Sequence, residues 1–154
     1  MSLLVLALLI GIIAGLRAMT APAAVSWAAH LGWLKLGGTP LAFMGLAVTP
    51  WVFTVFALVE LITDQLPATP SRTTPPQFGA RLVSAGLCGA TLGAAHGLLL
   101  AGLAAGAVGA VIGTLGGHAA RARLAAAFKR DLPAALTEDV VAIGGAALIV
   151  LALR

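Results

Sequence analysis

The sequence predicts an all-α bundle that crosses a membrane about five times, and three observations carry that expectation. Hydrophobic residues make up 60% of the 154-residue chain and charged residues only 9%, against roughly 45–50% and 25% in soluble domains. Apolar runs of about 20 residues, the length a helix needs to cross the hydrocarbon core, recur along the chain. Between them stand breaks built mostly from proline beside a hydroxyl or a charge. A separate soluble domain does not fit, so residues 1–154 read as one transmembrane domain.

The first span is expected over 2–20, an apolar run that meets Arg17 near its end. No Lys or Arg precedes that run and Arg17 interrupts its far end, which argues against a secretory signal peptide despite the small residues Ala21, Ala23 and Ala24. Pro22 breaks or kinks the helix. Residues 23–35, with Trp27, His30, Trp33 and Lys35, suit a short interfacial or re-entrant helix. Thr39-Pro40 resembles an N-cap followed by proline at the first helical position, opening a second span over 40–66 that Pro50 kinks. Glu60, Asp64 and Pro67 close that span, and 67–77 follows as a stiff polar loop. Thr74-Pro75 repeats the cap signal ahead of a third span over 78–100, and a tight turn near Ala101-Gly102 leads back into a fourth over 102–119. Arg121, Arg123, Lys129 and Arg130 lie in an Ala-rich helical extension, before Asp131 and Pro133 open a fifth span over 132–153.

The third and fourth spans carry glycine at four-residue spacing: Gly89, Gly93 and Gly97, then Gly109, Gly113 and Gly117. Missing side chains along one helix face let backbones approach closely where apolar burial gives no drive to associate, so these faces should pack within the protomer or across a homodimer. The runs Gly11 to Ala24 and Gly113 to Ala126 are faintly alike, pairing Gly11 with Gly113, Gly15 with Gly117 and Ala18 with Ala120. With five spans the first and fourth cross in opposite directions, so a true match would be an inverted repeat of the kind many transporters use.

The net charge of +4 carries topology rather than nucleic-acid binding, because no basic face dominates the chain. Arg72, Arg121, Arg123, Lys129 and Arg130 fall on one side of a five-span bundle, which the positive-inside rule places in the cytoplasm, with the N-terminus inside and the C-terminus outside. Cys88, the single cysteine, excludes an intrachain disulfide and a CxxC pair and reads as an apolar filler.

What chemistry the chain has is concentrated from Glu60 to Arg81, with a second acid pair at Glu138-Asp139. An ionised group near a helix centre costs about 2.5–3.5 kcal/mol to insert and so needs a partner or a water-filled cavity. At 1.5 Å per residue Glu60 and Glu138 lie roughly 8–10 Å inside their helix ends, depths that let them converge. The candidate ion- or substrate-binding set is therefore Glu60, Asp64, Arg72, Arg81, Glu138 and Asp139, joined by Arg17 and His118, with Ser71 and Thr73 as loop hydroxyls. The competing reading is that the arginines pair with these acids and merely lock the helices. His30 and His96 offer less, and no HExxH-like spacing supports zinc, so no metal or cofactor is assigned. Nor is a catalytic residue: no histidine stands near Ser71.

Gly15-Leu-Arg-Ala, Glu60 with Asp64-Gln-Leu-Pro-Ala-Thr-Pro-Ser-Arg-Thr, Arg81, and Glu138-Asp139-Val-Val-Ala-Ile-Gly-Gly resemble the small bacterial membrane proteins grouped as domain of unknown function 4126. The likeness runs over nearly the whole chain and implies a multi-pass protein of the bacterial inner membrane, without implying an activity. The expectation is a transporter or channel-like protein for an ion or small solute, among membrane lipids and with no nucleic-acid partner. Its alternatives are a non-catalytic scaffold and a membrane-embedded enzyme acting on a phosphorylated lipid, in which Glu60 and Asp64 hold Mg²⁺ and Arg72 and Arg81 hold the phosphate.

Overall fold

A computed structural model describes residues 2–66 and 68–154. Among them are six α-helices, one short 3-10 turn and no strand: α1 (Leu3–Leu16), α2 (Thr20–His30), the turn Ala42–Gly45, α3 (Thr49–Thr63), α4 (Pro75–Ala94), α5 (Leu99–Phe128) and α6 (Asp131–Leu151). By length and composition α5 and α6 can each cross a membrane, while α1 and α3 are shorter apolar helices.

Three tightly apposed helices, α1, α4 and α5, form the centre, and glycine makes their approach possible. A Cβ at Gly89 or Gly93 would collide with backbone of the Leu98–Gly106 segment, and one at Gly109 or Gly113 with the backbone of α1. Gly117 lies against Leu16, Arg72 and Glu138. The sequence pattern missed half of this seam, since Gly11, Gly15, Gly102 and Gly106 face it from the other side. Gly97 plays a different part from the expected one: its φ of +72 and empty surroundings make it the turn between α4 and α5. That turn comes earlier than Ala101-Gly102 because the left-handed conformation is open to glycine at little cost, and Gly102 is left free to face Gly89 and Gly93.

The contacts also set directions. Gly109, Gly113 and Gly117 meet Leu8, Ile12 and Leu16 in rising order, so α1 runs parallel to α5, whereas the α4 and α6 contacts with α5 run the opposite way. Hence Gly11-to-Ala24 and Gly113-to-Ala126 are not related by inversion; their glycines are largely the two sides of one parallel seam. From Met19 beside Glu60 to Trp27 bonded to Thr54, 3.1 Å apart, α2 runs antiparallel to α3. The six helices therefore alternate in direction, and Leu3 stands at the end of the bundle opposite Arg72, where the five-span reading had put the N-terminus on the Arg72 side.

Extra reversal comes from Arg17. The expected helix over 2–20 ends at Leu16 because Arg17 is extended (φ −137, ψ 112), and a second helix starts at Thr20. Pro22 breaks nothing; it lies in the first turn of α2, where its missing N–H costs no bond. Rather than lying on the surface, the helix expected over 23–35 packs inward through Ala21, Val25, Ser26 and Ala28. The span expected from Thr39-Pro40 begins only at Thr49, and Pro50 sits at its first helical positions instead of kinking its middle. A proline cannot continue a helix toward its own N-terminus, so Pro50 starts α3. Pro75 does the same for α4, which shortens the expected 67–77 loop; Pro67 lies outside the described residues. The helix expected over 102–119 continues through the Ala-rich stretch to Phe128.

Around an apolar core the bundle exposes large apolar side chains and buries part of its charge. Leu100, Val83, Val140 and Leu148 are 70–77% exposed, while Arg17 is fully buried and Arg72, Arg81, Glu138 and Asp139 are buried with it.

Candidate functional site

The site grows out of the break at Arg17. Interrupting a helix in apolar surroundings strands backbone donors and acceptors that water cannot reach, so each needs a protein partner. Here side chains from three other helices supply them. The Glu60 carboxylate of α3 accepts the amides of Ala18 (2.7 Å) and Met19 (2.8 Å), a negative charge at the positive end of α2. From α4, Arg81 Nη1 donates to the Gly15 carbonyl at 2.9 Å and the Leu16 carbonyl at 2.6 Å, and Ser84 Oγ donates to the Ala18 carbonyl. Thr114 Oγ1 of α5 adds a bond to Gly15 O at 3.3 Å.

Around this capped break lie all five acidic residues of the chain and four of its arginines. Arg17 reaches in two directions, with Nη1 on Asp64 at the end of α3 and Nη2 on Asp139 of α6. Its contact with Asp139 is an ion pair outside hydrogen-bond geometry, so Arg17 Nη2 and Asp139 Oδ1 both lack a hydrogen-bond partner. Arg72 grips Glu138 through both terminal nitrogens, the Nη2–Oε2 arm at 2.7 Å. Arg121 holds Asp131 in a second fork at 3.0 and 2.6 Å and approaches Glu138 to 3.6 Å. Arg81 Nη2 stands 3.9 Å from Asp64 and 4.0 Å from Glu60.

The cluster opens on a cleft of 530 Å³ lined by Asp64, Arg72, Arg81, His118, Arg121 and Asp131. Beyond the 64–70 segment a second, more apolar groove of 660 Å³ runs between α3 and α4, past Phe56, Val59 and Ala80, with Glu60 on its wall. Ser71 and Thr73, both exposed, bond to each other at 2.9 Å and stabilise the loop's own turn.

All eight charged or imidazole candidates from the sequence thus fall at one end of the bundle: Arg17, Glu60, Asp64, Arg72, Arg81, Glu138 and Asp139 in one network, and His118 on the cleft wall. His30 and His96 are elsewhere, bonded to the carbonyls of Gly45 (3.2 Å) and Leu92 (3.4 Å). Arg121 and Asp131 belong to the network although the sequence marks them only as part of a basic helical extension and as a helix start. A signal for Arg121 exists in hindsight, since it stands four residues past Gly117 and continues the Gly109, Gly113, Gly117 face. Ser84 and Thr114 carried no such signal. Among the described residues no three His, Cys, Asp or Glu side chains are grouped to hold a metal ion.

Comparison of the chain with protein-family models, with curated proteins and with solved structures finds no match.

Proposed function

We propose that the chain is a multi-pass protein of the bacterial inner membrane that moves an ion or small solute through the polar cleft at one end of its helix bundle. One observation carries this reading: every acid of the chain and four arginines are gathered at one end of the bundle, most of them wholly or partly buried, beside an open cleft, while much of the outer face is apolar. Intramembrane ionisable groups are costly and mark ion and substrate pathways. A broken helix pair whose backbone is capped by neighbouring helices is, moreover, how transporters place irregular backbone at membrane depth. Gly117 stands 18 residues into α5, so the cluster lies about 27 Å from that helix's start, near the edge of a hydrocarbon core of about 30 Å. The Arg72 end, which also carries Arg121, Arg123, Lys129 and Arg130, is then cytoplasmic. The resemblance of Asp64-Gln-Leu-Pro-Ala-Thr-Pro-Ser-Arg-Thr and Glu138-Asp139 to the domain of unknown function 4126 family suggests the same placement.

That each acid lies within ion-pair distance of an arginine favours a second reading, a non-catalytic scaffold in which the network only ties helices together. Flux measurement separates the two. In proteoliposomes offered a panel of inorganic ions, carboxylates and phosphates, the transport reading expects uptake by the wild type. It also expects at least a tenfold fall in Arg72→Gln, which removes a cleft wall charge. A folded wild type that moves nothing on the panel leaves the scaffold.

A further inference from the structure

We propose that the Arg17–Asp64–Asp139 triad is a proton-binding site, with the proton carried on Asp139. The inference deepens the transport reading by naming the coupling ion, and it rests on that reading only for the coupling role.

It starts from a charge inventory. The network contains five carboxylates and four guanidinium groups, one negative charge in excess. Two acids are fully served: Glu138 by the Arg72 fork with Arg121 alongside, and Asp131 by the Arg121 fork at the rim, where its side chain is 62% exposed. What remains is three acids, Glu60, Asp64 and Asp139, facing two arginines, Arg17 and Arg81. Glu60 has two backbone amides, and Asp64 has Arg17 together with Arg81 at 3.9 Å. Asp139 has the neutral side-chain amide of Gln65 and, as its one cation, the shared Arg17 without hydrogen-bond geometry at Oδ1, and its sequence neighbour Glu138 adds a second carboxylate on the same turn.

A buried carboxylate with half a counter-ion is the costly member of such a set, and a proton neutralises it. Acting on it are Arg17 at the α1–α2 break, Gln65 beyond α3 and Glu138 on its own helix; the other charged or titratable groups at this end of the bundle are Glu60 and Asp64 from α3, Arg72 from the loop, Arg81 from α4, His118 and Arg121 from α5, and Asp131 from α6. With Asp139 protonated, every remaining acid has a cation or paired amides, and Arg17 belongs to Asp64 alone. With it ionised, Arg17 is drawn toward α6. Gain and loss of one proton therefore tighten and loosen the tie between α6 and the break that Arg17 creates.

Infrared difference spectroscopy on the purified protein reads the carboxylic acid C=O stretch directly. The unaltered protein should show a single such band that disappears as pH is raised, that moves when aspartate carboxyls are isotope-labelled, and that survives Asp131→Asn and Glu60→Gln. Asp139→Asn should abolish it. Absence of a titrating band in the unaltered protein overturns the site whether or not any variant folds, as does a band insensitive to aspartate labelling or one that survives Asp139→Asn. Proteoliposomes separate site from transport. Proton binding together with flux driven by a pH gradient supports both, and proton binding without flux supports the site while removing the transport reading. Flux without a titrating aspartic acid overturns the site and leaves transport standing.

Discussion

Gly113→Ala, compared with Gly116→Ala on the same helix, tests whether the α1–α5 seam is closed on backbone atoms. At Gly116 an added Cβ meets nothing within 4 Å, so the variant gains only the helix preference of alanine over glycine, about 0.5–1 kcal/mol. At Gly113 the same methyl would overlap the Ile12 carbonyl, with Ile12 C and Cα at 2.9 Å. Overpacking of a well-filled interior costs about 1–3 kcal/mol, and the upper part of that range applies because the obstacle is backbone of another helix rather than a side chain that can turn away. After the propensity gain the net loss is about 2 kcal/mol, so the two variants should differ by about 3 kcal/mol with opposite signs. For a chain of this size that is a midpoint lowered by about 4–8 °C for Gly113→Ala and raised by about 1–4 °C for Gly116→Ala. Thermal unfolding in one detergent, followed by circular dichroism, measures both. If the midpoints move together, the helices do not meet there as closely as described.

Two further outcomes follow from the network and the helix directions. Arg17→Met should destabilise by about 3–5 kcal/mol by leaving Asp64 and Asp139 buried without their cation, and Arg17→Met combined with Asp64→Asn and Asp139→Asn should recover most of that loss; equal midpoints for the single and triple variants would remove Arg17 as their counter-ion. Single cysteines at Thr73 and Ala126 should label with an impermeant maleimide from one side of the membrane and a cysteine at Leu31 from the other, while buried Cys88 stays silent until the protein is denatured. Labelling of Leu31→Cys from the Thr73 side would contradict an α2 that leads away from the Arg72 end of the bundle.

Much of the fold was legible because proline, glycine and charge punctuate an apolar chain. Helices α4 to α6 come out near the expected places since Pro75 and Asp131 are unambiguous starts. The first third misled for a physical reason: proline signals where a helix may begin as well as where it stops. Local pattern marks Pro22 and Pro50 as breaks or kinks, yet both sit in first turns. Local pattern also fails at Arg17, because the backbone on either side of it is held by Glu60, Arg81, Ser84 and Thr114, partners 41 to 99 residues away in sequence.

That dependence explains why the site residues were easier to find than the fold that joins them. Rarity alone exposes a carboxylate in a chain this apolar, and burying one without a partner is costly enough that each buried acid needs a cation, backbone amides or a proton. Which arginine each acid meets depends on Arg17, and Arg17 can stand where it does only because acids and hydroxyls from elsewhere cap the chain around it. The break and the network therefore require each other. Without Glu60 the Ala18 and Met19 amides ahead of α2 lose their acceptor, and without the break Arg17 would lie on a continuous helix, its tip no longer placed between Asp64 and Asp139. A proton arriving at Asp139 thus acts on the joint where three helices, α1, α2 and α6, are tied, and that is the place from which a one-charge change reaches furthest into the bundle.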